Sequence, residues 1–213
     1  MLWQNEPSVI VGRFQDIYSE INLEFINNNN IKLARRNSGG GAVYHDLGNL
    51  NYSFIIYNKK IYDFKYFAGF IIDALNKLGV TCELSGRNDI LFNNKKFSGM
   101  AIYKHNNIIL CHGTLLYDCD LNIMNKVLSV DNKILRDKLA RHGVKSIKSR
   151  VINLKDYLIN IKDINELKLK LQNNFELKPF NLQHESLSEI DLIMQNKYLN
   201  FAFTAQPVPA IAK

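Results

Sequence analysis

The sequence predicts an α/β (α+β) fold, a mixed and largely antiparallel sheet with helices packed on it. Three observations carry that prediction. Between Val80 and Tyr117 four strand-like runs follow one another, with Asn93-Asn94 and His105-Asn106-Asn107 at the turns, the pattern of an antiparallel meander. Phe64, Phe67, Ile71, Ala74, Leu75 and Leu78 recur at helical spacing, and Gly79 follows as a stop. Pro7–Phe14 carries a β-branched run fit for a buried strand.

The elements follow in order. After the first strand, Ile17, Ile21 and Phe25 share one face of a helix over Ile17–Ile26, ended by the asparagine run Asn27–Asn30. Ile31–Arg35 is a second strand and runs into Gly39-Gly40-Gly41. Ala42–Tyr44 and Leu50–Tyr57 are strands, the latter alternating Tyr52, Phe54 and Ile56 against Asn51, Ser53 and Ile55. The Phe64–Leu78 helix leads into strands at Val80–Leu84, Asp89–Phe92, Lys96–Tyr103 and Ile108–Tyr117. From Leu121 onward helix and loop take over, and Lys145–Leu154 is too polar for a core. Asn165–Phe175 is a helix with Leu167, Leu171 and Phe175 in register; Phe180–Gln183 reads as a last strand and Ser188–Leu199 as a last helix.

Composition excludes several classes. At 213 residues and 46% hydrophobic content, the chain can bury the core of one large domain, with or without an extension. No apolar run is long enough to span a membrane, and the start, Met1-Leu2-Trp3-Gln4, lacks the basic and apolar regions of a secretory signal. Three cysteines, Cys82, Cys111 and Cys119, fit no zinc or Cys-x-x-Cys spacing, which predicts a reduced, cytoplasmic setting. The net charge of +7 permits nucleic-acid binding, but equally an anionic nucleotide or an acidic protein partner. The densest basic run, Lys126–Arg150, lacks the interleaved aromatics of a single-strand binder, which argues against a nucleic-acid partner.

Three stretches carry chemistry. The first is Arg35-Arg36-Asn37-Ser38-Gly39-Gly40-Gly41-Ala42-Val43-Tyr44-His45-Asp46-Leu47-Gly48-Asn49-Leu50-Asn51. Consecutive glycines suit a close backbone approach, and the arginines offer forks for an anion. On its own this stretch reads equally as a phosphate cradle or as a glycine turn. The second is Ser85-Gly86-Arg87-Asn88-Asp89 followed by Lys95-Lys96-Phe97-Ser98-Gly99; the third is Cys111-His112-Gly113-Thr114-Leu115-Leu116. A weaker fourth block is Ser149-Arg150-Val151-x-Asn153-Leu154.

Together and in this order, the blocks resemble the lipoate–protein ligase A family, over roughly Trp3 to Leu154. The resemblance implies a catalytic-domain fold shared with biotin protein ligases, and a two-step reaction. Lipoate and Mg-ATP give lipoyl-AMP, and the lipoyl group then passes to a lysine on a carrier domain. The carriers implied are E2 subunits of 2-oxoacid dehydrogenases or the glycine-cleavage H protein. Lys96 matches the family's essential lysine, whose ammonium stabilises charge that builds during adenylation and transfer; Lys95 should face the opposite side of its strand. Arg36 matches the ATP-contacting arginine, and Ser38, Gly39, Gly40, Gly41, Ala42, Val43 and Tyr44 match the segment along the nucleotide and lipoyl chain. Asn88, His112, Gly113, Thr114 and Arg150 join the binding set, and Asp89 is the candidate for Mg2+. The basic run Lys133–Arg150 matches a loop that folds over the nucleotide. For His45 packing is expected rather than acid–base work. Cys111, in an apolar strand with no basic neighbour, reads as core rather than as the nucleophile of octanoyltransferase relatives.

The resemblance also has edges. Family members usually carry a helix and strand ahead of the position of Trp3, and many have a small C-terminal domain after a Trp-rich segment. Residues 1–185 are expected to form the catalytic domain and 186–213 a helix and atypical tail, without that Trp segment. Two alternatives therefore stay open: a lipoyltransferase using preformed lipoyl-AMP, and a non-catalytic remnant that binds lipoyl-AMP or a carrier.

Overall fold

A computed structural model describes residues 1–57, 63–129 and 150–206, which group into two compact units. One unit comprises residues 1–6, 45–121 and 148–177; the other comprises 7–44, 122–147 and 178–213.

The first unit is built on a six-stranded antiparallel sheet. Its strands are β1 (Leu2–Trp3), β5 (Asn49–Tyr57), β6 (Glu83–Ser85), β7 (Asp89–Phe92), β8 (Lys95–His105) and β9 (Ile108–Leu116), in the order β1-β5-β9-β8-β7-β6. The predicted meander is β6 to β9. Its turns work because Asn93, Asn94 and Asn106 take positive φ, which asparagine tolerates better than most residues. Helix α3 (Phe64–Lys77) starts where Asp63 accepts from the Tyr66 N–H and ends at Gly79, whose φ is +89°. Its stripe of Phe67, Ile71 and Leu75 is fully buried, in one core with Leu50, Tyr52, Phe97, Cys111 and Leu115. Truncating Phe67 to alanine in such a core costs roughly 3–5 kcal/mol. A further helix, Ile164–Asn174 (α5, after α4 below), adds Leu167 and Leu171 to that core and is capped by Asp163.

The second unit holds a three-stranded sheet in the order β3-β2-β4, with β2 (Ser8–Val11) parallel to β3 (Lys32–Arg35) and β4 at Val43–His45. The single helix expected over Ile17–Ile26 is two, α1 (Ile17–Glu20) and α2 (Leu23–Asn28). The break lies at Asn22, whose side chain accepts from the Phe25 N–H and so starts a new helix. Helix α4 (Leu121–Val127) ends against it, with the Asn22 N–H donating to the Val127 carbonyl. Phe180–Gln183 forms no strand; it is an exposed lead-in to α6 (His184–Ile193). There the last helix passes through a π-helical turn, Met194–Tyr198, and restarts as α7 (Phe201–Thr204).

Candidate functional site

Lys96 sits where β8 is irregular. The pairing of β7 and β8 slips between Ile90 and Leu91, so Leu91 faces Lys96 while Ile90 faces Ser98. Phe97 turns into the core, and the Lys96 ammonium lies partly open, 2.8 Å from Asp89 Oδ1. The side chain crosses directly over Gly99, where an added Cβ would lie 2.9 Å from Lys96 Cε and 3.0 Å from Nζ. Glycine at that position is what lets the ammonium lie along the strand. The Lys96 backbone is held from the other side: its N–H donates to the Arg150 carbonyl, and its carbonyl accepts from the Ile152 N–H. Lys95 is exposed and pairs with Phe92.

The neighbouring blocks complete this platform. Thr114 Oγ1 lies 3.4 Å from the Gly99 N–H, and Gly113 leaves room for the Tyr52 ring, whose hydroxyl meets Ser98 Oγ at 3.1 Å. Burial pushes the Tyr52 phenol well above its ordinary range, so it stays protonated. Asn88 and Met100 are bonded reciprocally: the Asn88 amide donates to the Met100 carbonyl and the Met100 N–H to the Asn88 carbonyl. His112 is paired with Ser53 and Thr114 with Asn51 across β9 and β5. That row holds further polar residues, of which Trp3 and Ser53 lie outside the motif blocks. Trp3 Nε1 donates to Ser53 Oγ at 3.1 Å, and Asn49 Nδ2 to Asn51 Oδ1 at 3.1 Å. The second pair is buried and leaves Asn49 Oδ1 and Asn51 Nδ2 without partners, open valences suited to a polar ligand group or an ordered water. Both asparagines close the first motif stretch, but nothing in that stretch shows that their amides pair.

Arg36 and the glycine loop form a second set. The Arg36 guanidinium is turned onto backbone: Nη1 donates to the Ile10 carbonyl at 2.9 Å, and Nη2 to Gly39 and Gly41 at 2.8 and 2.7 Å. Burial pulls its pKa down to about 10, and Nε has no protein partner. Gly40 has a φ of +97°, and its carbonyl is packed so closely on Gly12 that a Cβ there would lie 2.0 Å from the oxygen. Two of the loop's carbonyls are thus drawn onto a half-buried cation. Ser38 and Tyr44 are buried, and Ala42 and Val43 carry the chain into β4.

The His45-Asp46-Leu47-Gly48 turn is occupied with structure. His45 is buried, with Nδ1 3.2 Å from Asn5 Nδ2 and its ring edge-on to Trp3. Asp46 accepts from the N–H groups of Gly48 and Asp120. Asn153 of the fourth block bonds both backbone groups of Cys119. Lys145–Leu154 is therefore not wholly peripheral: Leu154 is fully buried. Arg150 contributes its carbonyl to Lys96 and keeps its side chain exposed, while the rest of the Lys133–Arg150 run lies outside the described residues. Cys111 is buried in the core, and burial pushes its thiol up to about 12. Among the described residues no cluster of three His, Cys, Asp or Glu could cage a metal ion, and no helix is long and apolar enough to cross a membrane.

Comparison with known proteins identifies the family. The family model of the lipoyl protein ligase A/B catalytic domain matches residues 1–176. A lipoate-protein ligase of Bacillus subtilis is 44% identical over 160 residues, 74% of this chain and 47% of that protein. Lipoate–protein ligase 1 of Staphylococcus aureus is 38% identical over 209 residues, 95% of this chain and 62% of that protein. The chain thus spans 47% and 62% of the length of these two curated relatives, less than two thirds of either. Among solved structures, a bi-partite lipoate protein ligase of Thermoplasma acidophilum, described with its E2 lipoyl domain, superposes with a TM-score of 0.82 at 28% identity. It is covered to 85%, and covers all of this chain. The lipoate complex of Plasmodium falciparum LipL1 gives 0.76 at 32% identity, with all of this chain and 62% of that one covered. A lipoate-protein ligase A bound with ATP gives 0.79 at 26%, covering 96% and 84%.

Proposed function

The chain belongs to the lipoyl protein ligase A/B catalytic-domain family, and on that premise we propose that it activates lipoate with ATP and transfers the lipoyl group to a carrier-domain lysine. The observation that carries this reading is Lys96: a partly open ammonium laid over Gly99, steadied by Asp89 and gripped through its backbone by residues 150–152. A fixed cation of this kind lowers the barrier where negative charge builds.

In the first step a carboxylate oxygen of lipoate attacks the α-phosphorus of ATP and pyrophosphate leaves. Lys96 neutralises the entering carboxylate and the phosphoryl oxygens. In the second, the carrier lysine amine attacks the acyl carbonyl, AMP leaves, and the amine loses a proton. Lys96 now faces the oxyanion of that carbonyl. The Arg36-held loop binds nucleotide phosphate through backbone N–H groups, with Gly39–Ala42 along the ligand and Val43 and Tyr44 behind it. His112, Gly113, Thr114 and Asn88 shape the Lys96 platform, and Arg150 braces it. We assign residues 1–185 to the catalytic domain.

Asp89, with Asn88 beside it, is the residue proposed to hold Mg2+. Asp89 Oδ1 is taken by Lys96, which leaves Oδ2 and the adjacent Asn88 Oδ1 as hard oxygen donors on one turn. A site with few protein ligands suits an ion held largely by phosphates, where it neutralises their charge. The proposed acceptors are the lipoyl domains of 2-oxoacid dehydrogenase E2 subunits or glycine-cleavage H protein. The three cysteines, all free thiols, suit a cytoplasmic site of action.

Activation is tested by lipoate-dependent exchange of labelled pyrophosphate into ATP. Exchange with the wild-type chain and none with Lys96→Ala is expected. Equal exchange by both proteins contradicts the role given to Lys96. No exchange by either, with carrier modification from synthetic lipoyl-AMP, would leave transfer alone.

A further inference from the structure

We propose that the C-terminal segment Lys197–Thr204 is a positioning strut for the glycine-rich loop, and that it sets affinity for the anionic nucleotide rather than the rate of the chemical step. The inference rests on the nucleotide-binding reading of that loop given above.

Arg35 carries the first half of the argument. It is 2% exposed, and its five hydrogen bonds all go to backbone carbonyls. Nη1 reaches Gly12, Arg13 and Gln15, at 2.8, 3.2 and 2.8 Å. Nε and Nη2 both reach the carbonyl of Thr204, at 2.9 and 2.6 Å. That carbonyl is the last of α7, a helix-end acceptor that calls for an outside donor. Arg35 therefore ties the end of β3 to the 12–15 turn and to the C-terminal segment at once.

Asn37, on the other side of Arg36, is tied to the same segment. Its amide donates to the Tyr198 hydroxyl at 2.7 Å, and its Oδ1 accepts from Lys197 Nζ at 2.9 Å. The Lys197 ammonium lies over the rings of Tyr198 and Phe203, 5.1 and 4.8 Å from their centroids, and those rings meet edge to face. The residues immediately before and after Arg36 are thus both fastened to Lys197–Thr204, while Arg36 holds Gly39 and Gly41. A triple-glycine loop has much backbone entropy to lose on binding an anion. Fixing its entry at two points removes part of that cost in advance.

The test uses the full chain and the variants Tyr198→Phe, Lys197→Met and Lys197→Arg. Amide hydrogen exchange is followed peptide by peptide, and ATP binding by titration calorimetry. Tyr198→Phe and Lys197→Met should speed exchange over residues 37–42 and weaken ATP binding about fivefold each, the size of one lost hydrogen bond. Exchange in β5 and β9 should stay unchanged, as should the turnover rate at saturating ATP. Lys197→Arg should retain most of the affinity, and Asn37→Ala combined with Tyr198→Phe should be no weaker than Asn37→Ala alone. Wild-type exchange and affinity in both weakening variants would overturn the strut. So would faster exchange spread evenly over the whole chain, because that is general destabilisation. If the wild-type chain binds no ATP, the nucleotide reading of the loop fails, while exchange over residues 37–42 still decides whether the segment holds it.

Discussion

Lys96 and Arg36 are both cations in blocks that the sequence singles out, and the fold uses them in opposite ways. Lys96 stands on a strand of the six-stranded sheet, with its side chain and that of Asp89 each close to 30% exposed, at 28% and 29%. Its backbone is bonded to residues 150 and 152, and its ammonium is paired with Asp89 but stays partly open to solvent. Arg36 is half-buried, and its terminal nitrogens donate to the carbonyls of Ile10, Gly39 and Gly41. Its charge organises main chain. One region offers a side-chain charge on a rigid support; the other offers a backbone loop shaped by a half-buried charge. The comparison teaches that two cations in neighbouring motif blocks can be put to different structural uses, one held partly open beside a carboxylate and one turned onto main-chain carbonyls.

Substitutions sharpen the contrast. Lys96→Ala should have the largest effect on chemistry, lowering turnover by roughly a factor of a thousand, the scale of losing a fixed transition-state charge. Its melting temperature should barely move, because the Asp89 pair is partly solvated. Gly12→Ala attacks the other region. The new methyl group overlaps the Gly40 carbonyl, so the loop must shift; ATP affinity should fall about a hundredfold, with a stability loss of about 1–3 kcal/mol, measured by calorimetry and thermal denaturation. Gly99→Ala should displace the Lys96 ammonium without touching the loop, reducing kcat about tenfold or more at unchanged KM for ATP. If Gly99→Ala raises that KM instead, the division of labour drawn here is wrong.

The smallest effects are expected beside and beneath the platform. Lys95→Ala should leave turnover within about twofold, as an exposed surface change does. Cys111 should resist iodoacetamide at pH 8: a buried thiol pushed up to about 12 is protonated well beyond that pH, and it gains reactivity only above the range in which the fold is assayed. Cys111→Ser should keep activity. A thioester trapped on Cys111 would replace the direct-transfer mechanism.

What the sequence made legible follows local physics. The meander was readable because asparagine turns and alternating apolar residues act over a few positions, and α3 because its stripe and stops are local. Strand β1 was invisible, since Leu2 and Trp3 make a strand only by meeting Tyr52 and Asn51. The role of the fourth block was hidden for a related reason. Arg150 and Ile152 serve Lys96 through main-chain groups, which side-chain identity does not advertise. Likewise the partners of Arg35 and Arg36 are carbonyls that only the tertiary fold assembles. Nor does the identity of Thr204 show that it is buried with its carbonyl bonded to Arg35.

The central claim is that Lys96 acts in both steps. It is tested most directly by the intact mass of an apo lipoyl carrier domain. The domain is incubated with wild type or Lys96→Ala, and with either lipoate plus Mg-ATP or synthetic lipoyl-AMP, each corrected for uncatalysed acylation. The account predicts one lipoyl group added by the wild type from both donors, and background only from the variant with either. Wild-type-like modification by Lys96→Ala from lipoyl-AMP would contradict it, because the transfer step would then proceed without that charge.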